Sequence, residues 1–78
     1  MKYVATFYTH ASALMTDRTL KKHNVASRLG PVPRTLSSSC GTCVMYESDD
    51  PHLSDMDTDV EAVYEASDSG YTELLRNE

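Results

Sequence analysis

The sequence predicts an α+β fold. The expected architecture is a two-layer sandwich in the order β-α-β-β-α-β, with a four-stranded antiparallel sheet and both helices on one face. Three observations predict it. Lys2–Tyr8 is β-rich and free of breakers, Thr9–Leu20 follows as a capped helical segment, and further strand-like runs flank one long loop and a short second helix. Right-handed crossovers between such elements give a split β-α-β arrangement. Seventy-eight residues make one small domain. A chain of that size buries only about 60% of its unfolded surface, yet a hydrophobic content of 40% still supports a core.

Each element has its own warrant. In the first strand Tyr3, Ala5 and Phe7 share one face and Val4, Thr6 and Tyr8 the other, and both faces are apolar enough for a central position. Thr9 or Ser12 can cap the first helix through its hydroxyl. Ala13, Leu14, Thr16 and Leu20 form the helix's inward side, and Lys21 and Lys22 suit the negative end of its dipole. Asn24 is a left-handed stop. Val25–Leu29 alternates as a second strand, and Thr42–Glu47 as a third with Val44 and Tyr46 inward and Cys43 and Met45 opposite. Asp49-Asp50-Pro51 marks a helix entrance, with a short helix expected over Pro51–Met56. Val60–Ala66 is the fourth strand, with Val60, Ala62 and Tyr64 on one side. After the turn cluster Ser67-Asp68-Ser69-Gly70, the spacing of Tyr71, Leu74 and Leu75 predicts a helical stub. These elements amount to a ferredoxin-like sandwich over residues 1–66 and a C-terminal tail over residues 67–78. The open sheet face is a candidate homodimer surface.

The loop between the second and third strands concentrates the chemistry. Pro31 and Pro33 fix φ and hold Val32 extended. Ser37, Ser38 and Ser39 lead to Cys40, and Gly41 can take φ > 0 and reverse the chain there. A connection of about a dozen residues in so small a domain is more often functional than connective. A free thiol titrates near 8.5, and cations or oriented amides lower that. Arg34 is the nearest cation in sequence, and the amides from Ser38 to Gly41 can form an anion-binding concavity.

The run Pro31-x-Pro33-Arg34-x-Leu36-Ser37-Ser38-Ser39-Cys40-Gly41 resembles the signature of the selenium/sulfur carrier protein-like family of small bacterial and archaeal domains. The resemblance extends over roughly residues 3 to 66, through the opening strand Tyr3–Phe7, the helix Thr9–Leu20 and Asn24 at the helix end. It implies a carrier or transfer accessory protein rather than a true enzyme. Cys40 would hold a persulfide or perselenide, with Arg34, Ser37, Ser38, Ser39 and Gly41 around the anion. Donor and acceptor proteins would be its partners, and no cofactor is implied.

Cys43 opens a second possibility. A Cys-Gly-Thr-Cys turn brings its ends within about 7 Å, at the edge of disulfide geometry, so Cys43 is a candidate resolving thiol or one half of a small dithiol redox pair. The alternative is a strand residue on the open face, in a non-catalytic interaction domain whose cysteines are incidental. Cys40 and Cys43 also make half of a tetrahedral zinc set. The remaining ligands would have to come from His10, His23 or His52, none of them paired in the sequence, so no metal site is expected. The acidic run Asp49–Asp59 lacks the spacing of a calcium loop.

Residues 1–36 hold six Lys/Arg against one acid, whereas residues 37–78 hold eleven acids against Arg76 alone. The halves are expected to neutralise each other on one surface; the alternative is a basic helical face that meets an acidic partner. An acidic domain without interleaved arginines and aromatics is a poor nucleic-acid binder. No stretch approaches the roughly 20 apolar residues of a membrane span, and Met1 leads directly into a strand, so the expected compartment is the cytoplasm.

Overall fold

A computed structural model describes residues 1–78. Its elements run β1 (Lys2–Phe7), α1 (His10–Lys22), β2 (Ala26–Pro31), β3 (Thr42–Glu47), a single 3₁₀ turn (Leu53–Asp55), β4 (Val60–Ser67) and β5 (Gly70–Arg76). The five strands form one antiparallel sheet in the order β2-β3-β1-β4-β5. One helix covers one face of it. This corrects the expected four-stranded ferredoxin-like sandwich in two places.

The expected second helix is a single 3₁₀ turn. His52, immediately before the turn, sits in the left-handed region at φ 55°, where a right-handed helix cannot pass through it. The carbonyl of Pro51 accepts the hydroxyl of Tyr46, and Asp57 is drawn to α1: its amide donates to Thr16 Oγ1 at 3.1 Å and its carboxylate accepts from Ser12 Oγ at 2.7 Å. Side chains of α1 and β3 thus satisfy polar groups of this segment, and only Leu53 and Met56 are apolar. A helical nucleus has too little to stabilise it there.

The expected C-terminal helical stub is instead β5. Ser67 and Gly70 close a tight hairpin, with Gly70 at φ 126°, and the returning chain pairs with β4. Val63 faces Leu75 and Tyr64 faces Glu73, which leaves Leu74 as the extra residue of a bulge. Tyr71 pairs with Ala66 on the face without a helix and Leu75 with Val63 on the core side, so the i, i+3, i+4 spacing does not mark one face here. A second bulge lies on β4, where Thr6 faces Ala62 and Phe7 faces Val60, leaving Glu61 over. It moves Val60 and Val63 to the helix side and sends Ala62 and Tyr64 to the opposite face, so strict alternation fails for this strand.

The core lies between the sheet and α1 and contains Tyr3, Ala5, Phe7, Ala13, Leu20, Val25, Val44, Tyr46, Val60 and Val63. Thr9 caps the helix, its Oγ1 accepting the Ser12 amide at 3.2 Å, and Asn24 follows the helix end at φ 63°. Buried Asp17 binds Lys21 Nζ at 2.8 Å and Ser27 Oγ at 2.7 Å, which fixes α1 to β2. The Lys and Arg ion pairs, Lys21–Asp17 and Arg76–Glu73, are between near neighbours in sequence. No Lys or Arg of the first half is bridged to an acid of the second. On the face without a helix, a hollow of about 450 Å³ lies between residues that include Val4, Arg28, Met45 and Tyr71. No helix is long and apolar enough to cross a membrane.

Candidate functional site

The loop from Val32 to Gly41 joins β2 to β3, two neighbours in the sheet, and its base is closed by the Val32 amide on the carbonyl of Gly41 at 3.3 Å. Pro33 to Leu36 forms a turn, with the Leu36 amide on the Pro33 carbonyl at 3.0 Å. Ser38 Oγ donates to the carbonyl of Phe7 at 3.0 Å, which ties the loop to the last residue of β1. The Ser39 amide donates to Glu61 Oε1 at 3.2 Å. Glu61 is the bulged residue of β4, so the bulge directs a carboxylate at the loop. Thr42 Oγ1 lies 3.2 Å from His10 Nδ1, which joins the start of β3 to the first residue of α1.

Within this frame Cys40 is half-buried, a free thiol whose Sγ donates to the carbonyl of Thr42 at 3.4 Å. One side of the residue packs against the core and the rest is accessible. Gly41 takes φ 74°, the reversal its type allows, with open space where a side chain would stand. The amides of Ser38, Cys40 and Gly41 have no acceptor within the chain. Ser39 shows that this stretch of backbone receives a negative oxygen.

The other predicted site residues divide. Ser37 is exposed and Arg34 is exposed on the Pro33–Leu36 turn, outside the chain's ion pairs. Cys43 is fully buried in β3 opposite Thr6 and Gly30, and its Sγ donates to the Pro31 carbonyl at 3.5 Å. Burial pushes its thiol above the ordinary range, only partly offset by Arg28. Both cysteines are free. Glu61 and His10 belong to the loop's surroundings but carry no sequence signal for it; Glu61 is brought there by a bulge. At the other end of α1, His23 and His52, unpaired in the sequence, meet on Asp55. Asp55's carboxyl is held below the usual range, chiefly by the hydrogen bond from His52.

A small α+β domain that holds one partly buried free thiol on a tied-down loop, in a stretch where the Ser38, Cys40 and Gly41 amides have no internal acceptor, defines a thiol-bearing domain. Residues 2–65 match the sequence model of the family described as "Putative Se/S carrier protein-like", and the chain belongs to that family. β5 lies beyond the matched residues. No curated protein and no solved structure matched the chain.

Proposed function

We propose that this protein carries sulfur or selenium as a persulfide or perselenide on Cys40, between a donor and an acceptor protein. The observation that carries the reading is the setting of Cys40: a free, partly accessible thiol in the loop whose sequence resembles the family signature, next to amides with no internal partner. Loading is a displacement. The Cys40 thiolate attacks the terminal sulfur or selenium of a cysteine-bound persulfide or perselenide on the donor. The bond to the donor's own sulfur breaks, and the donor cysteine leaves as a thiolate. The oxidation level of the transferred atom is unchanged, so no outside oxidant enters. The chain-terminal chalcogen then carries negative charge, and we assign its stabilisation to the Ser38, Cys40 and Gly41 amides, which have no acceptor within the chain. Arg34, on a turn six residues away, contributes longer-range attraction for an anionic cargo or an acidic partner. Cys43 takes part in discharge only if the start of β3 opens, because its sulfur is sealed and bonded to Pro31.

The test is intact-mass analysis after incubation with a cysteine desulfurase and cysteine, without reductant. A gain of one sulfur that Cys40→Ser abolishes and Cys43→Ala retains is the expected result. Absence of any adduct on the wild-type chain overturns the reading.

A further inference from the structure

At the end of α1 remote from its Thr9 cap, three side chains converge from two segments far apart in sequence. His23 is the C-cap of the helix, while His52 precedes the 3₁₀ turn and Asp55 is its last residue. Asp55 Oδ2 lies 3.1 Å from His23 Nδ1 and 2.9 Å from His52 Nδ1. One ligating atom from each residue lies within 4.8 Å of the others. Zinc bonds of about 2.0–2.1 Å in a tetrahedron set donor atoms about 3.3 Å apart, so the triangle needs little adjustment to close on an ion.

We propose that His23, His52 and Asp55 form a binding site for a divalent transition metal of the zinc class, with one coordination position left for water or an outside ligand. Two neutral imidazoles and one carboxylate suit a borderline ion better than calcium or magnesium, which prefer oxygen cages. The site has outer support. His52 Nε2 lies 3.1 Å from Ser48 Oγ, and its backbone amide donates to Asp50 Oδ2 at 3.3 Å. In the metal-free form His52 Nδ1–H donates to Asp55; an ion taking that nitrogen requires the other tautomer, and Ser48 Oγ stands ready to accept the Nε2–H it creates. His52 also holds φ 55°, a region that non-glycine residues seldom occupy, and this places its ring against Asp55. The electrostatics agree. Residues 49–59 contain five aspartates and no Lys or Arg, and the helix end contributes its negative dipole pole. Access is available, since the side chains are 49%, 20% and 22% exposed for His23, His52 and Asp55. A bound ion would pin the end of α1 to the β3–β4 connection. The site is separate from the Cys40 loop, so the proposal stands apart from the carrier reading.

The experiment is titration of the full chain with Zn²⁺ against a chromophoric competitor, and with Co²⁺ as a spectroscopic probe. Expected are one saturable site, the d–d absorption of four-coordinate Co²⁺, and no thiolate-to-cobalt charge-transfer band. His23→Gln and His52→Asn should each weaken binding about tenfold or more. Asn is chosen because it tolerates the left-handed backbone. His23 is half-exposed at a helix end, so His23→Gln decides the matter even if the other variant folds poorly. Zn²⁺ should also raise the melting temperature of the wild type more than that of either variant. No saturable uptake, a thiolate band, or affinity unchanged in His23→Gln would overturn the proposal.

Discussion

The Sγ of Cys43 lies 3.5 Å from the carbonyl oxygen of Pro31, across the strand pair that forms the base of the Cys40 loop. The two cysteines therefore differ in kind although only two residues separate them. One is a partly buried loop thiol, the other a sealed strand residue whose hydrogen bond closes the loop's stem.

The first prediction follows from that difference. Iodoacetamide at neutral pH should add a single adduct, on Cys40, to the native protein. Cys43 should react only after unfolding, because burial both blocks it and keeps its thiol protonated. Peptide mapping of native and denatured samples checks this, and equal labelling of both in the native state would contradict it.

Gly41 sits at φ 74° with nothing near its missing side chain. Gly41→Ala therefore meets backbone strain but no clash, and should cost about 1–2 kcal/mol. A lower denaturant midpoint at constant m-value is the expected signature.

Asp17 is buried and accepts from both Ser27 and Lys21. Asp17→Ala removes the acceptor and leaves the partly buried Ser27 hydroxyl poorly satisfied. We expect a loss of about 1–3 kcal/mol, whereas Lys21→Ala should cost well under 1 kcal/mol because its ammonium is largely solvated. Paired denaturant curves compare the two.

Burial raises the Tyr46 phenol above its ordinary value, with Tyr3 adding to the shift, and its hydroxyl donates to Pro51. The unfolded chain releases that proton at lower pH than the folded one. Stability is therefore retained below about pH 10 and falls as pH rises beyond it. Tyr46→Phe should flatten this alkaline limb while lowering stability at neutral pH. Melting temperatures measured across the alkaline range test both effects.

Much of this molecule is legible in its residues. The faces of β1 and β3, the Thr9 cap, the Asn24 stop and the reversal at Gly41 all follow from local chemistry, and the structure has each of them. What escaped depends on partners far along the chain. The bulge at Glu61 and the bulge at Leu74 are set by pairing across strands, and each breaks the period that a pattern reading relies on. Around the turn at Leu53–Asp55, Pro51 and Asp57 give their polar groups to β3 and α1, which no local propensity encodes. Ion pairing between the basic and acidic halves, expected from charge alone, is absent among Lys and Arg; the contact between the halves that does form is His23 with Asp55. The Cys40 loop was visible because its prolines, serines and glycine act locally. Its neighbour Glu61 was not.

The bulge on β5 has a consequence for the sheet's margins. Of the two outermost strands, β5 is kinked at Leu74 and carries the Glu73–Arg76 ion pair, which makes it a poor template for another polypeptide. β2 pairs with β3 in unbroken register from Ala26 to Pro31 and ends at the proline-led loop. A chain adding itself by main-chain hydrogen bonds would find its regular edge there, and would run toward the loop that carries Cys40.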